Sequence, residues 1–582
     1  MRAERAFDRL VRIAPAQRRR LLLGAVGAAA VAAGGAVARC GLPGRTAPRE
    51  GPGAAGRQPD PAEVLAERQA LHLNHGADPE TLDPHKVALS SEIAIVMRVF
   101  ANLLAFDAGG NLVPEMAERL PAIAPDGRTL TFTLRAGLKY SNGQPLTARD
   151  FEYGWKRQLD PRVGGEYAFT GFAIEGGEEF NAAKDADEPR LTQLRDAVGV
   201  RARDDRTLEF RLTRPAPWFL SVLTTWCGAP VRQDLVQQAG DRWTEPETYV
   251  GNGPYVVKTW EPRNRITLEA NPHYYRGAPP VRIVELLAIG DPAVALAAYR
   301  NGELDVLAVQ GEDLAVVNAD PHLKRHYQRF PGSCTTYLGF NTTQPPFDRP
   351  AVRRAFAAAL DRDDFVSSVL GGLGVAAQQL VPPGLPGHFE DLKPQRLDAA
   401  QARRWLADGG YPDGRGFPAV KFTHAAGARN RLRVEAVIEQ IRRHLGVTVV
   451  ADPVEPRALT AMMRSRESTP ALFLNGWCQD YPDPQDWYSA VFHSQAPLNH
   501  SGWANAEFDR LTQQADGEPD ARRRTGLYKR AAQLLMDEAP VAFLYHSVVS
   551  RLVQPYVAGL LPNPLDLYEG QTNLFHLRIL KH

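Results

Sequence analysis

Asn475-Gly476-Trp477-Cys478-Gln479-Asp480-Tyr481-Pro482-Asp483-Pro484-Gln485-Asp486-Trp487 is the stretch from which the rest of the chain is read outward. It follows a short apolar run, Ala471-Leu472-Phe473-Leu474, which reads as a buried strand bounded by turn signals. The prolines at 482 and 484 stop regular pairing, so Asp480 falls where a strand runs out into a loop. In open α/β sheets, ligands collect at that end of a strand. The loop sets one carboxylate beside two large aromatics, Trp477 and Trp487, and a cysteine. A ligand-binding carboxylate and a plain capping or surface carboxylate both fit Asp480 at this level.

With 582 residues the chain is too long for one core and predicts two or three domains. Hydrophobic residues at 44% and charged residues at 23% are those of a globular protein, neither disordered nor membrane-embedded. The 68 basic and 67 acidic side chains leave a net charge of +1, which gives no electrostatic case for nucleic acid.

The N-terminus reads as a targeting segment, with residues 1–38 a signal peptide. Arg18-Arg19-Arg20 precede an Ala/Gly/Val/Leu run from Leu21 to Val37, and Ala36-Val37-Ala38 fits a small-x-small cleavage site. The run is shorter and less apolar than a spanning helix. Paired arginines before a weakly apolar core resemble a twin-arginine export signal, and ordinary secretion fits equally. Cys40-Gly41 has the placing of a lipidated cysteine, although Arg39 stands where such sites want a small residue. Residues 39–68, rich in Gly, Pro, Arg and Ala, read as a flexible tether. Export implies an oxidising compartment in which paired cysteines persist. Cys40, Cys227, Cys334 and Cys478 show no metal-ligand spacing, so one disulfide and a spare thiol are expected, with no metal and no cofactor.

The folded part begins near Ala70-Leu71-His72-Leu73, an alternating strand. Ser90 reads as the cap of a helix whose apolar residues Ile93, Val96, Met97, Phe100, Leu103 and Leu104 fall at helical intervals. Leu130 to Leu134 and Leu208 to Leu212 alternate as strands, and Thr147-x-x-Asp150 is a capping box opening a helix through Trp155. Gly251-Asn252-Gly253 reads as a turn, not a phosphate loop, because Pro254 removes a backbone donor. Arg265 to Glu269 alternates as a further strand, and Pro350 opens a helix with Val352, Phe356 and Leu360 inward. Helices are expected over 431–444 and 521–537. The alternation of α and β elements predicts an α/β core with a mixed sheet.

No catalytic constellation is present: there is no G-x-S-x-G elbow, H-E-x-x-H, phosphate loop or dinucleotide fingerprint. His424, His500 and His546 have no partner that sequence assigns. Asp480, Asp483 and Asp486 suggest a hard-cation loop, but the interleaved prolines stretch it out.

The segment around Asp480 resembles that of the peptide-binding family of ABC-importer solute receptors, and the likeness runs from about Leu65 to His582. It is carried in order by Leu82-Asp83-Pro84-His85-Lys86, by Tyr140 to Phe151, by Gly253-Pro254-Tyr255, by Asn271-Pro272, by Tyr299-Arg300-Asn301-Gly302-Glu303, and by Phe340-Asn341 with Pro345-Pro346-Phe347. The resemblance implies an α/β, two-lobed, three-domain clamp with mixed sheets and a small inserted α+β domain. Domain I would comprise 69–110, 215–333 and 546–582, domain II the insert 111–214, and domain III residues 334–545. A Cys334–Cys478 disulfide is implied, leaving Cys227 free. Implied too is a periplasmic, monomeric, non-enzymatic receptor that hands short peptides to the permease subunits of an importer.

Site residues follow from the same resemblance. Asp480 would pair with the peptide α-ammonium. Ala88, Leu89 and Ser90, with Gly476 and Cys478, would bond the peptide main chain, as strand addition does. Trp477 and Tyr167 would line the pocket. Arg464, Arg466 and Arg431 are the candidates for the peptide carboxylate, since the family's basic residue before the binding strand is Leu474 here. A hinge is implied near 333 and 546. There Tyr545, His546 and Ser547 stand where the family has a tyrosine, and a family tryptophan is missing around Pro456 to Ala458. These departures bear on ligand length and side-chain preference, and another solute (a cell-wall peptide, a peptide-like antibiotic or a chelated metal) is the alternative cargo. A secreted peptidase or glycan-modifying enzyme is the reading from another class.

Overall fold

A computed structural model describes residues 64–76, 78–107, 109–311, 313–561 and 574–582. The expected signal peptide, most of the expected tether and Cys40 lie outside the described residues. One long mixed sheet organises the rest. Its strands lie in the order Val449–Val454, Val420–Ala425, Leu472–Cys478, Tyr327–Phe340, Val541–Val553, Val306–Ala308, Ala70–Asn74, Ile283–Leu287, Arg265–Ala270 and Tyr255–Glu261. The Val420 strand is parallel to both neighbours, and so is the Ala70 strand, while the two long strands between them pair antiparallel.

Those long strands, Tyr327–Phe340 and Val541–Val553, are common to both halves of the sheet. Their register slips between Pro331 and Thr335 and again between Thr336 and Tyr337, so the ribbon twists where it passes from one half to the other. On either side the apolar residues form separate cores. The first gathers residues from Leu71 to Leu286 and recovers Val553 to Ile579 from the end of the chain. The second half has two large cores, one around Phe340, Phe356, Phe422 and Ile441, the other around Trp487, Tyr488, Trp503 and Tyr528, and a small cluster of Leu459, Met463 and Phe473. Two sets of buried side chains joined by a shared ribbon make the molecule two-lobed.

Within the first lobe a smaller antiparallel sheet forms from Ala122–Ile123, Thr129–Thr133, Thr207–Arg211 and Val200–Ala202. Leu130, Phe132, Leu208 and Phe210 share its inner face and are buried, as their alternation requires. Trp155, from the helix Ala148–Gln158, packs edge-on to Phe210 with ring centroids 5.8 Å apart. The helix starts at the expected box: the Thr147 N–H donates to the Asp150 carboxylate at 2.7 Å. Its last turn carries Arg157, whose two terminal nitrogens donate to Asp83 at 2.6 and 2.8 Å. Burial opposes a charge on Asp83, but the Arg157 guanidinium still holds its carboxyl below the usual range. This pair gives the Leu82-Asp83-Pro84-His85 block a structural meaning.

Three local expectations change. The first helix spans Ser90–Val99 and Leu89 occupies the cap, because the Glu92 carboxylate turns back to accept the Leu89 N–H (3.5 Å) and the Glu80 N–H (2.7 Å). It stops before Leu103 because the Val99 carbonyl, which a longer helix would give to residue 103, accepts from Gly253 N–H at 2.7 Å. That approach also accounts for Gly251-Asn252-Gly253: a Cβ on Gly251 would lie 2.1 Å from the Val99 carbonyl oxygen. The tether, expected to run to residue 68, is already tied at Leu65, which bridges Leu580, and at Ala66, whose N–H donates to Ile579 at 2.9 Å. That tie is made by backbone groups, so side-chain patterning gives no sign of it.

Cys334 and Cys478 lie directly opposite in the ladder, 3.9 Å apart at Cα, and are disulfide-bonded, while Cys227 is a buried free thiol. Closing a loop of 144 residues stabilises by about 4–5 kcal/mol in the chain-entropy view. Thiol titration of the non-reduced, denatured protein lacking residues 1–40 should therefore find one reactive thiol, rising to three on reduction. Replacing Asp83 by Ala strands the buried Arg157 and should cost about 3–5 kcal/mol in chemical denaturation.

Candidate functional site

The strand Leu472–Cys478 pairs along its length with Tyr327–Phe340, setting Gly476 against Thr336 and Trp477 against Thr335. On its other edge only Leu472 and Phe473 pair, with the Val420 strand. Beyond Phe473 that edge pairs with no other strand among the described residues, and it carries Gly476 and Cys478. The last backbone tie is the Gln479 N–H to the Ser333 carbonyl at 2.9 Å. Asp480 then leaves the sheet, as the prolines foretold.

The three loop carboxyls go to three different places. Asp483 caps the short helix Pro484–Trp487 and forms a two-pronged pair with Arg524 at 2.7 and 2.8 Å. Asp486 folds back beneath the loop, where it accepts the Trp477 indole N–H (3.3 Å) and the Asp480 backbone N–H (3.2 Å). Asp480 itself faces the first lobe. The Tyr167 hydroxyl, from the two 3-10 turns Glu166–Gly171, donates to its carboxyl, while the carboxyl's Oδ2 is shut from solvent without a partner. Trp226 stands edge-on to Tyr167 at 4.9 Å between centroids. Buried Cys227 adjoins them, its thiol pushed up to about 12 by burial.

Burial raises the Asp480 carboxyl to about 7. It raises Asp486 well above the carboxylate range too, and the nearby Asp480 charge adds to that. Two buried carboxyls this close do not both ionise without a cation, so the site stores an unmet demand for positive charge. A cavity of about 420 Å3 opens beside them, with Gln479, Asp480 and Pro482 on one wall and Asn102, Thr224, Thr225 and Trp226 on the other.

The lobes also touch around this point. Tyr481 lies parallel to Trp218 at 6.4 Å, Arg214 reaches Asp516 at 3.7 Å, and Arg464 pairs with Glu166 while Arg457 pairs with Glu80. The sequence-predicted residues thus fall into three groups. Asp480, Trp477 and Tyr167 converge, with Gly476 and Cys478 on the adjoining strand edge. Ala88, Leu89 and Ser90 form the start of the Ser90–Val99 helix in the first lobe, with Leu89 half exposed. The remaining six are spread out. Arg464 is held by Glu166, Arg466 donates to the Ser494 carbonyl at 2.6 Å, and Arg431 sits on the exposed first turn of the helix Ala428–Leu445 near Glu435. Tyr545 is buried and stacks on Phe365. His546, held neutral by burial with a pKa near 3, meets the Thr335 hydroxyl at 2.7 Å, and the Ser547 hydroxyl accepts the Cys334 N–H at 3.1 Å. Trp487 is fully buried in the second lobe and takes no part. Gln479, Asp486 and Trp226 belong to the site; Gln479 and Trp226 carry no sequence signal beyond nearness to Asp480 or Cys227, and Asp486 stood out only as part of the suggested cation loop.

Residues 111–499 match the bacterial extracellular solute-binding proteins, family 5 Middle. The chain belongs to this family. Its members are binding proteins. It is 32% identical over 509 residues to a probable deoxycholate-binding periplasmic protein of Escherichia coli, covering 86% of this chain and 92% of that one. It is 30% identical over 543 residues to the periplasmic oligopeptide-binding protein of the same organism, covering 90% and 95%. Among solved structures, the Escherichia coli murein tripeptide binding protein superposes with a TM-score of 0.78 at 27% identity, covering 89% of this chain and all of that one. Among the described residues of this solute-binding protein, no helix is long and apolar enough to cross a membrane.

The raised Asp480 pKa has a consequence for stability in the ligand-free protein. Its folded value, about 7, lies above the unfolded value near 4, so its contribution is whole below about pH 4 and is lost as pH rises through 7. Asp480→Asn should flatten that slope of up to about 1.4 kcal/mol per pH unit, so in urea titrations the variant should exceed wild type at pH 8 and approach it near pH 4.

Proposed function

We propose that this protein is the extracytoplasmic receptor of an ABC importer and that it captures short peptides between its lobes. The observation that carries this reading is the Asp480 carboxyl, buried, held by Tyr167 from across the cleft, and left with Oδ2 unpartnered beside a cavity. A peptide α-ammonium supplies the charge and the donors that this oxygen lacks. The free edge at Gly476 and Cys478 supports main-chain pairing of an extended ligand, with Ala88 to Ser90 on the opposite lobe. Trp477, fixed by Asp486, forms a wall there. The peptide carboxylate falls to Arg464, Arg466 or Arg431, of which Arg464 exchanges Glu166 for it.

Domain I at 69–110, 215–333 and 546–582, domain II at 111–214 and domain III at 334–545 are the bounds of this reading; the first core runs through both domain I and domain II, and the cores around Phe340 and Trp487 lie within domain III. Rotation about the ribbon near Ser333 and His546, with Tyr545 and Ser547 beside it, opens and closes the cleft. The protein acts as a monomer in the periplasm, without enzymatic activity, delivering ligand to permease subunits. A steroid carboxylate, the ligand class in the name of one relative, would bring like charge to Asp480. Native mass spectrometry of protein purified without denaturation should show a retained peptide mass, and a bile-acid mass would reverse the reading.

Calorimetry with trialanine provides the direct test. Asp480→Ala should weaken binding by about 2–5 kcal/mol, the cost of stranding one half of a buried pair. In wild type at pH 6 binding should release about one proton, because the ammonium requires the ionised carboxyl. Unchanged affinity in the variant contradicts the anchor.

A further inference from the structure

The chain leaves the small sheet after the strand Thr207–Arg211 through Thr213-Arg214-Pro215-Ala216-Pro217-Trp218, and this connection meets the second lobe at three points. Trp218 stacks on Tyr481, the residue after Asp480, with the rings 15° from parallel and both side chains buried. The Pro215 carbonyl oxygen would lie 3.5 Å from a Cβ on Gly517, which ends the helix Ala506–Gly517. Nη2 of Arg214 stands 3.7 Å from Oδ2 of Asp516, on the last turn of that helix.

Asp516 differs from the other acids that meet a cation of the opposite lobe. Glu80 and Glu166 are well exposed, so their pairs with Arg457 and Arg464 add little. The Asp516 side chain is only 5% exposed. Its Oδ1 accepts the Ser489 hydroxyl at 2.7 Å and the Tyr528 hydroxyl as well. Burial still raises the carboxyl above its usual range, against the pull of those hydroxyls, Arg214 and Arg524. Arg524, on its own lobe, is committed to both oxygens of Asp483 at 2.7 and 2.8 Å. The cation left for Asp516 is Arg214, and it arrives from across the cleft.

None of Arg214, Trp218 and Asp516 lines the cavity beside Asp480, so their influence on capture passes through the position of the lobes. On the lobe rotation proposed above, we infer that Arg214 is a positioning residue: it holds the lobes together through Asp516 and so sets ligand affinity without touching the ligand. Opening takes the cation away from a buried carboxylate, and the pair therefore weights the closed arrangement. A ligand that binds the closed form meets a larger competent fraction, whatever its own chemistry.

Small-angle X-ray scattering of the ligand-free protein, beside calorimetry with trialanine, provides the test. Arg214→Gln should enlarge the ligand-free radius of gyration and raise the trialanine Kd about threefold, and saturating trialanine should return the radius to the wild-type value. Arg214→Lys, which keeps the charge, should stay close to wild type in both. Asp516→Asn should match Arg214→Gln, and combining the two should add nothing further. If Asp516→Asn fails to fold, Arg214→Gln carries the test, because that side chain is 43% exposed. An unchanged radius or an unchanged Kd in Arg214→Gln overturns the inference and leaves the Asp480 anchor standing. Failure of trialanine to bind wild type overturns the peptide reading, and the ligand-free scattering then decides the role of Arg214 by itself.

Discussion

A carboxylate removed from water is unstable unless something replaces the lost hydration, and this molecule is arranged around one left in that condition. Asp480 has a single hydroxyl, from Tyr167, and a backbone that leans on a second buried carboxyl at Asp486. Neither interaction supplies positive charge. Elsewhere in the same fold, buried acids have been given their cations: Asp83 has Arg157, and Asp483 has Arg524. The contrast between those satisfied pairs and the unsatisfied Asp480 separates structural carboxylates from a receptive one.

The same constraint explains why the site lies between lobes. A deep, unpaired acid inside one rigid core would be a standing cost with no return. Placed where two cores meet, on the proposed reading it would be desolvated when they close, and a ligand bringing the missing charge would favour that state over an open one. Closure driven by a ligand requires such differential affinity. The buried Tyr481–Trp218 stack and the Arg464–Glu166 and Arg457–Glu80 pairs join the lobes around it, and the two ion pairs are largely exposed and individually weak.

How far the sequence foretold this depends on how local each determinant is. The strands at Leu130 and Leu208 alternate strictly and the Thr147–Asp150 box is self-contained, so both stood in plain view. The first helix misled at both ends because Glu92 and the Gly253 N–H act from tertiary context that no window contains. Asp480 was visible as a carboxylate at a strand end, and its role came from the resemblance. Gln479 and Asp486 were not visible as participants: one acquires meaning from a cavity wall assembled by Asn102 and Thr225, the other from a chain reversal that brings it under Asp480. Arg464, Arg466 and Arg431 could not be ranked, because a lone arginine advertises nothing about which neighbour it will meet.

The Cys334–Cys478 bridge fastens the strand that passes between lobes to the strand that ends in the binding loop. Asp480, two residues past that clasp, is thereby tied to the ribbon that both lobes share and not to the outer body of its lobe. Swinging the lobes apart would sweep distant surfaces through a wide arc while hardly displacing the acid. If that ribbon is the pivot proposed above, the acid stays close to the axle whatever the angle of the jaws.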